Sequence, residues 1–170
     1  MNTALNIKPR YQHTKVGTFL FNLCARWTEF VVKHRWLYYL LACTWGILMT
    51  VAGFIVSVVL AIGKIFVGRK IEFRRYNWIY SVAVGSSWGG LEFGLCFLRD
   101  LGNGEQLNAH EFGHTFQNIL FGPFFIFLVW IPSIIWYWIP SSKPYDSMWW
   151  EDAATQCGLY ASKFISEKTK

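Results

Sequence analysis

His110, Glu111 and His114 stand in the pattern H-E-x-x-H within "NAHEFGHTFQN", residues 108–118. Residues four apart on a helix lie on one face about a turn from each other, so both imidazoles can reach a single metal ion. Glu111, next to the first histidine, is placed to take a proton from water rather than to bind the metal. Phe112, Gly113, Thr115 and Phe116 around them carry no charge, and the glycine leaves room beside the ligands. The chemistry expected is zinc-dependent hydrolysis, with Zn2+ as the cofactor and Glu111 as the general base.

A catalytic zinc takes three protein ligands and keeps one position for water. No histidine follows His114, so the third ligand must be a carboxylate, a cysteine or a residue from upstream. Asp146, Glu151, Asp152, Cys157 and Glu167 are the downstream candidates. Glu151 is the best of them, because "WWEDAAT" reads as helix and Ala153 and Ala154 are small enough for close packing against the first helix. Gln117, on the ligand face one turn on, is a candidate to hydrogen-bond a ligand. Tyr145 is a candidate oxyanion stabiliser among eight tyrosines. His13 and His34, in basic surroundings, read as surface residues.

H-E-x-x-H followed by glutamate in an E-x-x-A setting resembles the gluzincin metallopeptidases. Among them it is similar to the membrane-embedded Ste24/HtpX type, whose second motif is E-x-x-A-D. Glu151, Asp152, Ala153 and Ala154 match its first four positions, while Thr155 stands where that type has aspartate. The resemblance implies a zincin-like helix, a peptide or protein substrate, and Thr155 as an uncharged hydrogen-bond partner of a ligand histidine. The longer pattern also resembles small bacterial membrane proteins with a "PSxxxYW"-like stretch, met here by Pro132, Ser133, Tyr137 and Trp138. That implies an integral protein of the bacterial cytoplasmic membrane. Site-2-type intramembrane proteases share H-E-x-x-H but draw an aspartate from a later motif, and the "DLG" here, Asp100 to Gly102, lies upstream.

The elements that must position these residues are read from the rest of the chain. Of 170 residues, 54% are hydrophobic, 19% aromatic and 15% charged. An ordinary soluble domain carries about 25% charged residues, so the expectation is a mainly α membrane protein forming one membrane-embedded domain, 1–170. Residues 37–63 hold no ionisable side chain but Cys and Tyr, and are long enough for one transmembrane helix in a lipid bilayer. The run begins too late, and lacks the cleavage pattern, for a signal peptide. Residues 1–16 read as loose. Over Thr18–Arg35, Leu20, Leu23, Trp27, Phe30 and Val31 recur at helical spacing, giving a basic, amphipathic N-terminal segment (1–35) for the membrane surface or for packing on the protein.

Residues 71–170 form the zincin-like region. "GSSWGG" is turn material, and Leu91, Phe93, Leu95 and Phe97 then alternate as a strand over 91–98. The zincin resemblance implies an edge strand that holds an extended peptide above the metal, which makes Leu91, Phe93 and Leu95 candidate substrate contacts; the equal alternative is a plain structural strand. Asn103 with Gln106 resembles a capping box opening the motif helix, which should stop at Gly122-Pro123. The apolar residues 119–139 contain Pro132 and predict a re-entrant hairpin turning near Ile131–Ser133, since Glu151 could not otherwise return to the histidines. A last helix should cover about Ser147–Phe164.

Net charge is +6, with basic residues on both sides of the apolar run, where they meet anionic headgroups; no recognition motif accompanies them, so no nucleic-acid partner is expected. Four scattered cysteines without a C-x-x-C pair give neither a disulfide framework nor a zinc knuckle. The reading favoured is a membrane zinc hydrolase, a peptidase by resemblance. The alternative is a non-catalytic membrane protein with a structural or vestigial zinc site. Substrate and oligomeric state are not written in the sequence.

Overall fold

The apolar run 37–63 is not one helix. In the computed structural model, which describes residues 6–67, 70–86, 88–102, 104–139 and 143–168, it belongs to α2 (Arg35–Cys43) and α3 (Ile47–Val67). At Thr44 the backbone leaves helical geometry (φ −123, ψ −76). Its hydroxyl donates to Leu40 O at 2.7 Å, and Gly46 N–H returns to Leu41 O at 2.8 Å. The break sets Trp45 against Gly122, where a side chain would collide with the indole. α2 buries Tyr38 and Ala42 in the protein core. Ile47–Phe66 of α3 has a mean hydropathy of 2.2 and is long and apolar enough to cross a membrane. Only 11% of its apolar window is buried, so the core of this chain does not account for its side chains.

From residue 6 on, the N-terminal segment is held, not loose. Ile7 is buried, and Arg10 and Tyr11 donate backbone N–H groups to Asp152. The side chain of His13, expected at the surface, is buried, with Nε2 2.9 Å from Asp152 Oδ2. Its partner lies 139 residues away in the chain, which local composition cannot reveal. α1 (Lys15–Val31), capped by the Thr14 hydroxyl, buries Phe21, Cys24, Ala25 and Thr28 and packs on the last helix. Of the apolar stripe read from spacing, Leu23 and Phe30 stay exposed.

A four-stranded mixed sheet follows, ordered β1-β2-β4-β3. β1 (Ile71–Tyr76) and β2 (Ile79–Val84) form an antiparallel hairpin about Asn77-Trp78, with Asn77 in the left-handed region (φ 49). β2 runs parallel to β4 (Cys96–Arg99), and β3 (Gly90–Phe93) pairs antiparallel with β4 at the sheet edge. The strand expected over 91–98 is thus two strands folded at Gly94, whose φ of 66 suits a residue without a side chain. The period-two pattern continues through the fold and hides it.

α4 (Glu105–Phe121) carries the H-E-x-x-H motif. Asn103 lies outside the described residues; Gly104 is the N-cap residue and makes no side-chain cap bond. The helix ends at Gly122 (φ 56), followed by a 3-10 turn over Gly122–Phe124 and a π-helical stretch, Ile126–Trp130, leading into α5 (Ile131–Trp138). The chain reverses here by 116°, but at 122–125 rather than at Ile131–Ser133. Pro132 does not turn the chain. The π stretch before it shifts the hydrogen bonding so that Ile131 N–H reaches Ile126 O, and the arm runs on through the proline. A short 3-10 turn at Tyr145–Ser147 leads into α6 (Trp149–Lys168), a little longer than expected.

Packing divides α4 into three faces. Phe112, Phe116 and Ile119 enter a core with Tyr38, Trp78 and Phe97, each buried aromatic contributing roughly 1.5–3 kcal/mol. His110, His114 and Gln117 face α6, and Glu111 and Asn118 face β3.

Candidate metal centre

The site is assembled by the close approach of α4 and α6. A Cβ on Gly113 would run into the carbonyl oxygen of Ala154, and one on Gly158 into that of Ala109. Two glycines, one on each helix, therefore let the backbones touch. This contact brings the first turn of α6 against the histidine face of α4, and the chain reversal at Gly122 returns α6 to the same end. Sequence spacing marked Gly113 as room for the ligands; Gly158, equally necessary, was missed.

Glu151 Oε2 lies 3.1 Å from His110 Nε2 and 3.3 Å from His114 Nε2, and the two imidazole nitrogens are 3.2 Å apart. The three form a cluster that can hold a metal ion. The Glu151 side chain is fully buried, and its Oε2 is aimed between the two histidine nitrogens. Such a burial is costly unless a cation or proton sits among these atoms. Asp146, Asp152 and Cys157 are directed elsewhere: Asp146 meets Arg10 and Tyr11, Asp152 meets the N-terminal segment, and Cys157 enters the apolar cluster with Phe21 and Cys24. Glu167 reaches Lys163 on the surface.

The other nitrogens of both rings are held. His110 Nδ1 lies 2.8 Å from Thr155 Oγ1, and His114 Nδ1 lies 2.7 Å from Gln117 Oε1. Gln117 also donates through Nε2 to Trp150 O at 2.7 Å. Tyr145 donates to Glu151 Oε1 at 3.0 Å, so its hydroxyl is engaged in orienting Glu151. Thr155, Gln117 and Tyr145 thus each hold one member of the cluster.

Electrostatics agree with the geometry. Burial alone would push Glu151 up, but the charge of His114 and hydrogen bonds from both histidines outweigh it and hold the carboxyl well below the usual range. Burial likewise opposes a charged His114, yet the Glu151 carboxylate, with Glu111 and Gln117, raises it to about 9. Glu111 is buried and raised by desolvation, partly offset by the two histidines.

Gly90 on β3 touches the Glu111 carboxyl so closely that any side chain there would displace it. Read in the sequence only as turn material, the double glycine before a strand is the signal that the backbone closely approaches a functional group. Of the candidate substrate contacts, Leu91 lines the cleft beside the cluster. Phe93 is instead buried beneath α3 with Met49 and Val129, and Leu95, in the turn after β3, packs on the core below Phe97 and Phe112. Both are corrections caused by the fold at Gly94. Glu92 was also missed: it is buried in the same cleft and bonded by Asn118 Nδ2 at 3.1 Å. The arm after Gly122 adds Phe125, Val129, Trp130 and Ile134 to a cleft of about 790 Å³.

Comparison of the chain with protein-family models, curated proteins and solved structures finds no match, so what this centre does is argued from its own geometry.

Proposed function

We propose that the chain is a membrane-anchored zinc-dependent hydrolase and that its reaction is peptide hydrolysis. The observation that carries this reading is the Glu151 oxygen set 3.1 and 3.3 Å from the two histidine nitrogens of the H-E-x-x-H helix, with Glu111 beside them and bound to neither. A tetrahedral ion with bonds of about 2.0 Å, as zinc has, separates its ligand atoms by roughly 3.3 Å. The three spacings, 3.1, 3.2 and 3.3 Å, fit that polyhedron. Two imidazoles with one carboxylate favour zinc over magnesium or calcium, which prefer all-oxygen sets.

His110, His114 and Glu151 would hold the ion. Bound there, zinc would lower the pKa of a water molecule towards neutrality and polarise a carbonyl group. Glu111, raised by burial, accepts the proton of the attacking water and returns it to the leaving amine. Gly90 keeps β3 against that carboxyl, and the edge strand runs beside the cleft where an extended peptide can pair with it. The apolar, exposed α3 supports anchoring in a bilayer. A structural zinc site is closed by a fourth protein ligand; among the described residues, the cluster has three.

The test is hydrolysis of a quenched fluorescent casein by zinc-loaded protein purified in detergent. Wild type should cleave, and Glu111→Gln should lose roughly two to four orders of magnitude in rate. Equal rates for the two proteins would reject Glu111 as the base, and no cleavage by either would reject peptide hydrolysis.

A further inference from the structure

Two depressions meet at the metal cluster, and their walls differ in kind. The larger is faced by Trp88, Leu91, Phe125, Val129, Trp130 and Ile134. The second, about 530 Å³, is faced by Glu105, Gln106, Asp146 and Thr155. Leu107, His110 and Tyr145 belong to both. The larger depression combines large apolar side chains with the buried carboxylates Glu92 and Glu111, and past His110 it gives way to a rim that carries Glu105, Gln106 and Asp146.

The outer side of the apolar wall points the same way. Phe127, Leu128, Ile131 and Ile135 are exposed on the arm whose inner side closes the larger depression. A helical arm apolar all round, yet not enclosed by protein, suits lipid. The other end opens beside the Tyr145–Ser147 turn, where Arg10 and Tyr11 pair with Asp146 at the surface. The cleft thus runs from an arm with an exposed apolar outer side to a rim that carries Glu105 and Asp146, the latter paired with Arg10.

We propose that the cleft takes an extended peptide segment that carries a bulky apolar residue on one side of His110 and a basic residue on the other. Such a sequence occurs where a membrane-spanning segment meets its cationic flank. This assignment rests on the peptide hydrolase reading for its chemistry, but it makes a claim about binding that stands or falls separately. The apolar residue lies among Phe125, Val129 and Trp130, and the basic residue faces Glu105 and Asp146.

The experiment measures binding of three labelled peptides of equal length to zinc-loaded Glu111→Gln protein in detergent, by fluorescence anisotropy. One carries Leu-Phe followed by Lys-Arg, one has Glu-Glu in place of the basic pair, and one has Ser-Gly in place of the apolar pair. The first should bind at least about tenfold more tightly than either of the others, the discrimination of one well-made contact. Glu105→Lys, and independently Asp146→Asn, should shrink the preference over the Glu-Glu peptide and leave the Ser-Gly comparison unchanged. Val129→Trp should do the reverse. Equal affinities for all three peptides, or an order unaffected by these substitutions, would overturn the assignment. Cleavage by wild type is read separately: binding in the expected order without cleavage rejects the hydrolase reading and keeps the cleft assignment, and cleavage without that order does the opposite.

Discussion

Gln117 decides which nitrogen of His114 faces the cluster. Its amide nitrogen donates to Trp150 O at 2.7 Å, so its oxygen is the atom 2.7 Å from His114 Nδ1. An oxygen there requires Nδ1 to carry hydrogen, which leaves the lone pair of the neutral ring on Nε2, towards Glu151 and His110. Replacing Gln117 with Ala should lower zinc affinity about 10- to 100-fold. Competition with a chromophoric chelator measures it, and an unchanged affinity would show that the ring needs no such partner.

The helix contact behind the site gives a stability prediction with an internal control. Gly113→Ala and Gly158→Ala each force a methyl group into a carbonyl oxygen of the facing helix, whereas a Cβ on Gly63 meets nothing within 4 Å. The first two should destabilise by about 1–3 kcal/mol or more and weaken zinc binding together with the fold. Gly63→Ala should be neutral or gain up to about 1 kcal/mol, as Ala is the better helix former. Chemical unfolding in detergent distinguishes them; equal effects at the three positions would contradict the close helix contact.

Glu92 predicts a dependence on pH. Burial pushes its carboxyl up to about 8 from an ordinary value of 4.5, against the opposing donors Gly94 and Asn118. The folded protein therefore holds the carboxyl neutral where the unfolded chain would ionise it. Its contribution to stability is fully present below about pH 4.5, falls as pH rises, and is lost through pH 8. Glu92→Gln, which keeps both hydrogen-bond acceptance and shape, should remove that decline and be more stable than wild type at the alkaline end. Unfolding midpoints from pH 5 to 9 (roughly the span of the titration) check this, and parallel curves for both proteins would contradict it.

The strap formed by residues 6–14 offers a local test. Asp152 accepts the N–H groups of Arg10 and Tyr11 and faces His13, all over the first turn of α6. Asp152→Ala leaves the buried His13 side chain and these half-buried donors without their partner, an unpaired buried group costing about 1–3 kcal/mol. The segment before Thr14 should then become the first site of limited proteolysis. Cleavage elsewhere first, with the strap intact, would show that other contacts hold it.

How much of this was legible in the sequence follows from how far apart the partners lie. His110, Glu111, His114 and Gln117 share one helix, so spacing alone places them on neighbouring faces. Glu151 was readable from its small neighbours Ala153 and Ala154. The break at Thr44–Gly46 was not, because the contact that goes with it, Trp45 against Gly122, joins positions far apart in the chain. Pro132 drew the expected turn to itself, while the true reversal at Gly122 was read only as a helix end. Alternation of Leu91, Phe93, Leu95 and Phe97 concealed a hairpin, since the folded pair keeps the same pattern. Burial of His13 depends on Asp152 and could not be seen from basic neighbours.

The most direct measurement of the central claim is elemental analysis of purified wild type, Glu111→Gln and Glu151→Ala after dialysis at neutral pH. Wild type and Glu111→Gln should each retain an equimolar amount of zinc, and Glu151→Ala should retain only traces while keeping its helical circular dichroism. Zinc retained equally by Glu151→Ala, or absent from wild type, would contradict a metal centre built by His110, His114 and Glu151.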